Sequence, residues 1–318
     1  MKKQKMSRLN IAVSVVLLAV FLVFLAGVMI WEHNLPGVPV PPETQATGIT
    51  AATETVIPTT LPPETTLPEF AARRINFLLI GRDYHVEGEN GRSDSMILCS
   101  VDTGAKKVTM ISFLRDIYLK IPGHGSNRLN ASYSWGGTEL LKETLKENFD
   151  VNVDVTLEID FDGFESMIDY LGGVDIELTE QEADHLNSGH DWELAEGPNH
   201  LDGVQALAYS RIRKLDSDFG RTERQRNVLT ALLKQYNAAG FREMLNATDE
   251  FLEQSTSDHT DDELLGFALE LYVMMDDYEI ITHRVPADGT YSYETIRGMS
   301  VVDVDFEKNR ELLAGLLE

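Results

Sequence analysis

The sequence predicts an α/β protein: a mixed central sheet flanked by helices, an α-β-α sandwich, preceded by one transmembrane helix and a disordered linker. Three observations predict it. Residues 11–31 carry no charge, residues 32–72 are rich in proline and threonine, and beyond them short β-branched runs alternate with helical periodicity.

Residues 1–10 form a cytoplasmic tail. The 21 uncharged residues that follow span roughly 31 Å as a helix, which matches the hydrocarbon core of a bilayer. Lys2, Lys3, Lys5 and Arg8 precede this stretch and no Lys or Arg recurs until Arg73, so the positive-inside rule places the N-terminus in the cytoplasm. The stretch exceeds a usual signal-peptide core and no Ala-x-Ala-like site follows it, which favours an anchor over a cleaved signal. The linker at 32–72 holds eight of the chain's eleven prolines and nine threonines, too little apolar surface to offset chain entropy. As polyproline II it would reach at most roughly 120 Å.

Residues 73–318 form one α/β unit. Strands are expected at 75–80, 94–101, 108–113, 151–159 and 278–285, where β-branched and aromatic residues are bounded by turn residues. Helices are expected at 137–149, 161–171, 204–209, 222–236, 241–253, 262–274 and 305–317.

Composition narrows the function. With 52 acidic and 27 basic residues the net charge is −25, whereas a nucleic-acid binder carries a basic footprint, so no nucleic-acid partner is expected. Cys99 is the only cysteine, which excludes an intrachain disulfide and a cysteine-ligated metal site. His185 and His190 lack zinc-helix spacing, Gly123 to Ser126 lacks the lysine of a phosphate loop and reads as a turn, and Ser93 and Ser210 sit in no nucleophile elbow.

Against that acidity, five of the sixteen arginines fall within sixteen positions: Arg211, Arg213, Arg221, Arg224 and Arg226. In the helix beginning near Asp218 the apolar stripe is Val228, Leu229, Leu232 and Tyr236. Counting back by three and four reaches Gln225, Arg224 and Arg221. Cations in the first turn oppose the helix dipole, so these residues point to an anionic ligand, and arginine suits the oxygens of phosphate. The alternative is a solvated, salt-bridged face. Asp83 and Asp94 flank the ends of two expected strands, where open sheets place ligands, and supply hard oxygens of the kind Mg²⁺ takes. Asp116 reads more simply as a turn residue.

The motifs Gly81-Arg82-Asp83, Arg92-Ser93-Asp94-Ser95, Arg115-Asp116, Leu129-Asn130-Ala131-Ser132-Tyr133, Gly136-Gly137 and Asp169 to Val174 occur in series. With Leu201 to Arg213 and Asp218 to Gln225, the order resembles the LytR-CpsA-Psr family. The resemblance implies a phosphotransferase of the bacterial envelope. Such an enzyme moves an anionic glycopolymer, of wall teichoic acid or capsular polysaccharide type, from an undecaprenyl-pyrophosphate carrier to peptidoglycan, forming a phosphodiester. By motif position, Asp83 and Asp94 would hold Mg²⁺. Arg92, Arg115, Arg211, Arg213, Arg221 and Arg224 would grip the pyrophosphate, with Gln225 lining the pocket. Asp83, Arg92, Asp94, Arg115, Arg211 and Arg213 form the implied catalytic set. An apolar groove between sheet and helices would take the polyprenyl tail, with Val155, Leu157, Ile159 and the stripe around Val228 as candidate walls. The domain would lie outside the cell, tethered to the cytoplasmic membrane.

Two positions depart from the family pattern. His85 stands where an arginine is frequent, with Arg82 as a candidate substitute, and Leu114 replaces a frequent proline before Arg115. A lipid-pyrophosphate hydrolase, or a non-catalytic polyprenyl-phosphate-binding regulator, would use the same cleft.

Overall fold

The computed structural model describes residues 73–82, 91, 93–238, 241–274 and 278–317, all within the unit Phe70–Glu318. The expected anchor and linker, and also Asp83, His85 and Arg92, lie outside the described residues. No helix among the described residues is long and apolar enough to cross a membrane.

In chain order, β1 (Arg74–Arg82), β2 (Ser93–Asp102) and β3 (Lys107–Phe113) are followed by the hairpin β4 (Tyr118–Ile121) and β5 (Gly125–Arg128) and by helix α1 (Leu129–Phe149). Then come β6 (Val155–Ile159), α2 (Phe161–Tyr170), β7 (Val174–Leu178), α3 (Glu180–Asn187), β8 (Gly197–Leu201), α4 (Gly203–Ser210) and α5 (Asp218–Ala238). The rest is α6 (Phe241–Gln254), β9 (Ser255–Ser257), α7 (Asp261–Met274), β10 (Glu279–Val285), β11 (Tyr291–Ile296), β12 (Met299–Val304) and α8 (Phe306–Leu317).

Six strands form a mixed sheet in the order β10-β3-β2-β1-β6-β9. β2 is antiparallel to both neighbours, while β1 pairs parallel with β6 and β3 parallel with β10. The C-terminal ends of β1, β3, β6 and β10 therefore share one edge with the N-terminal end of β2. Asp94 and Arg115 meet there although 21 residues separate them.

The period-2 alternation of the strands sorts their side chains between two layers. Leu78, Ile80, Met96, Leu98, Ile111 and Phe113 pack with Leu141, Leu145 and Phe149 of α1 and Leu313 of α8. Phe77, Leu79, Ile97, Cys99 and Met110 face the other way, toward Leu229 and Leu233 of α5. Each fully buried side chain of this size contributes about 1.5–3 kcal/mol. Burial also pushes the Cys99 thiol up to about 12, so it stays protonated and inert.

The structure corrects several boundaries. The strand expected from residue 151 begins at Val155, because Asp154 accepts the N–H of Asn76 with its side chain and ends the ladder. The helix expected from 137 is the second half of α1, whose axis breaks at Gly136 (φ −143°, ψ 16°) and Gly137 (φ 63°, ψ −153°). Of the turn expected at 123–126, Gly123 and His124 close the β4–β5 hairpin, while Gly125 and Ser126 begin β5 and pair with Ile121 and Lys120. That hairpin, β7 to β8 with α3 between them, β9, and the β11–β12 hairpin were not expected, being short and half polar.

Gly203 begins α4 against the backbone of α2, where an added Cβ would lie 2.4 Å from the carbonyl oxygen of Glu165. Gly203→Ala is expected to lower stability by about 1–3 kcal/mol, read as a lower urea midpoint with an unchanged slope.

Candidate functional site

Arg115 leaves the end of β3 one residue after Leu114, which is buried and donates its N–H to the carbonyl of Val285 at 3.0 Å. Proline could not make that bond. Leu114 thus ties Arg115 to two strand ends.

At this edge the charges alternate. Arg213 donates to Asp94 at 3.3 Å, Arg115 donates to the other oxygen of Asp94, and the Arg115 Nε lies 3.5 Å from Asp218. Arg221 then donates to Asp218 at 2.9 Å. The series Arg213–Asp94–Arg115–Asp218–Arg221 grades from solvent to interior, since the Arg213 side chain is 46% exposed and that of Arg221 only 2%. Gln225, one turn beyond Arg221, accepts from the hydroxyl of Ser95, the residue after Asp94, at 3.0 Å. Asp116 is drawn aside to Arg128 at 2.9 Å, in keeping with its reading as a turn residue.

The electrostatics favour an added anion. Burial lowers the proton affinity of the Arg221 guanidinium, Asp218 and Asp94 oppose this, and the like charges of Arg115 and Arg213 lower it further. Its Nε and Nη1 are buried and find no hydrogen-bond partner among the described residues. Leaving such donors unsatisfied costs about 1–3 kcal/mol each, more for charged groups. For Arg115 burial also lowers the affinity, but Asp94, Asp218 and Asp116 outweigh it and the net shift is upward. Three guanidinium groups, two unused donors and an open side at Arg213 fit a ligand with several anionic oxygens.

Two arginines of the expected set are placed otherwise. The Arg224 side chain is only 7% exposed; it donates to Glu182 at 2.6 Å, to the carbonyl of Ile212 at 3.2 Å and to both oxygens of Asp216. Those bonds fasten the loop before α5 to α3, so Arg224 is a structural clamp and not part of the anion grip. Gly220 leaves room for it, since a Cβ there would come within 2.1 Å of the Asp216 carboxylate. Arg211 lies 4.5 Å from the centroid of the Phe161 ring, a cation–π contact outside the charge series. Asp216 and Asp218 are the acids that stand against the arginines within the same stretch of sequence, whereas Glu182, 42 residues before Arg224, was not expected as a partner.

Asp94 is an oxygen donor of the type a hard cation takes, and its chemistry fits Mg²⁺. Both of its oxygens are held by guanidinium groups here, and no cluster of three or more potential metal ligands occurs among the described residues.

Below the charge series, between the sheet and helices α5 to α7, lies an apolar cavity of about 220 Å³. Phe77, Leu79, Cys99, Leu157, Leu229, Leu232, Leu233, Tyr236 and Phe267 line it. Of the expected walls, Leu157 and, from the stripe around Val228, Leu229, Leu232 and Tyr236 belong to it. Val155 packs behind it with Ile75 and Leu264, and Val228 turns to the cluster around Ile168 and Tyr209.

Residues 49–315 match the profile of the LytR_cpsA_psr family. The chain belongs to the LytR-CpsA-Psr family. Within it, the chain is 35% identical over 165 residues to the polyisoprenyl-teichoic acid–peptidoglycan teichoic acid transferase TagV of Bacillus subtilis, covering 49% of this chain and 42% of that protein. It is 37% identical over 165 residues to the regulatory protein MsrR of Staphylococcus aureus, covering 51% and 49%. The chain thus spans about half the length of these relatives. Among solved structures, TagT bound to LIIa-WTA superposes with a TM-score of 0.65 at 26% identity, over 76% of this chain and 89% of that one. B. subtilis TagV superposes at 0.64 and 27% identity, over 77% and 98%. The mixed sheet with flanking helices is the LytR-CpsA-Psr fold.

Glu182 also caps α3, accepting from the N–H and hydroxyl of Thr179, so its carboxylate is fully used. Arg224→Met is expected to cost about 3–5 kcal/mol, the penalty for stranding the buried carboxylate of Glu182, measured by urea unfolding. Glu182→Ala should cost less, since Asp216 still pairs with Arg224.

Proposed function

We propose that this protein transfers an anionic glycopolymer, of wall teichoic acid or capsular polysaccharide type, from an undecaprenyl-pyrophosphate carrier to peptidoglycan. One observation carries the reading: a single helix serves both ends of an amphiphile. α5 presents Arg221 and Gln225 at its start and Leu229, Leu233 and Tyr236 to the apolar cavity further along. Arg221 and Leu233 are twelve positions apart, roughly 18 Å along the axis. A diphosphate head at the arginines thereby places a hydrocarbon tail in the cavity. Relatives named as teichoic acid transferases support the same reading.

In this reaction the acceptor hydroxyl oxygen attacks the phosphorus that bears the glycopolymer. The bond from that phosphorus to the bridging oxygen breaks, polyprenyl phosphate leaves with the electron pair, and the hydroxyl proton is lost to water. Phosphoryl transfer needs positioning and charge neutralisation above all. Arg115, Arg213 and Arg221 supply both, with Arg92 beside Asp94 in sequence as a further cation. Asp83 and Asp94 would hold Mg²⁺, which when bound neutralises pyrophosphate charge. As Arg115 and Arg213 turn to phosphate oxygens, they release the Asp94 carboxylate. The segment at 11–31 would anchor the chain with the catalytic domain outside, confining enzyme and carrier to one leaflet and raising effective concentration.

The test combines full-length protein, lipid-linked glycopolymer, peptidoglycan oligomers and Mg²⁺. Polymer joined to peptidoglycan is the expected product. Free phosphorylated polymer would indicate hydrolysis, and lipid binding without product would indicate a regulator, a role the name of MsrR brings into view. Arg115→Ala and Arg213→Ala are each expected to lower transfer by about 10- to 100-fold, the equivalent of one lost charge-assisted contact, with circular dichroism unchanged. Leu233→Trp should fill the cavity and weaken lipid binding while inorganic pyrophosphate binding persists. Chelation with EDTA should stop transfer, and added Mg²⁺ should restore it.

A further inference from the structure

The lipid cavity lies on the α5 face of the sheet, and this constrains the other substrate. In an in-line displacement the attacking oxygen approaches opposite the leaving group. If the polyprenyl phosphate departs toward α5, the acceptor must come from the α1 side. That side carries an open cleft of about 680 Å³ along the second half of α1. It runs from Gly136 to Lys146, roughly 15 Å of helix.

The residues that flank Gly136 in α1 reach the end of β1 at the reaction edge. Tyr133 and Thr138, on either side of the Gly136–Gly137 break, both donate to Glu158, and the Arg82 guanidinium at the end of β1 lies 3.7 Å from the same carboxylate. Trp135 lies between them, 45% exposed, with its ring 5.2 Å from that of His124. The electron-rich ring face attracts the polarised C–H bonds of a pyranose. His124 belongs to the cleft wall, joined there by Glu139, Lys142, Glu143, Lys146 and Asn152. These offer donors and acceptors in balanced charge. A polyanion gains little from such a lining, particularly on a domain this acidic, whereas an uncharged saccharide chain can use all of it.

We propose that this groove, headed by Trp135, binds the glycan strand of the acceptor and delivers its hydroxyl to the phosphorus from the face opposite the lipid. The proposal rests on the transfer reading for its direction of attack, but its binding claim can be tested separately. A peptide-free tetrasaccharide of alternating N-acetylated amino sugars, released from peptidoglycan, is titrated calorimetrically into the full-length protein and into Trp135→Ala and Trp135→Phe. Trp135→Ala is expected to weaken binding about tenfold, with Trp135→Phe near wild type and thermal melting unchanged for both. In the transfer assay Trp135→Ala should raise the acceptor KM and leave the donor KM as it was. Equal binding by wild type and Trp135→Ala, no binding by wild type, or an unchanged acceptor KM would overturn the groove while leaving the transfer reading intact. Trp135-dependent binding in a protein that transfers nothing would uphold the groove and remove the transfer reading.

Discussion

The carboxylate of Asp94, holding one guanidinium on each oxygen, is the interaction on which the site depends. Arg115, Arg213 and Arg221 come from a strand end, a loop and a helix start, and alone they would repel one another. At a separation of 4 Å two like charges cost about 4 kcal/mol at the effective dielectric of a protein surface. Asp94 and Asp218 offset this and leave the three arginines close together. The compensation is incomplete at the inner end, where Arg221 keeps two buried donors without partners among the described residues. That residual demand for negative charge is what an anionic ligand would meet.

The sheet gives this edge two different flanks. Because successive residues of β1, β2 and β6 point to opposite faces, Leu79, Cys99 and Leu157 form walls of the apolar cavity. Ile80, Leu98 and Glu158 turn toward α1. Neither flank needs a separate domain. The same few strands hold an apolar cavity on one side, a polar groove on the other, and the charged edge between them.

Much of the fold was legible in local pattern. The central strands are long apolar runs, and α2, α4, α6 and α7 begin and end within a residue or two of their expected positions, since caps and periodicity are local signals. The unexpected hairpins are short and alternate with solvent, so nothing in their sequence exceeds the noise of a loop. Within the site, the chain positions of the arginines were plain, but their fates were not. Arg221 and Arg224 lie three residues apart on one helix and look equivalent in a list. One turns to Asp218 and the anion site, the other to Glu182, 42 residues earlier, and to Asp216.

The sequence by itself determined the α/β class, the family and the identity of the residues that could meet phosphate, because motifs and periodicities are written along the chain. Which arginines converge and which one clamps a loop were decided only by tertiary structure. Pairing between charges depends on distances in space, and those are set by strand order and helix rotation, which no local stretch of sequence encodes.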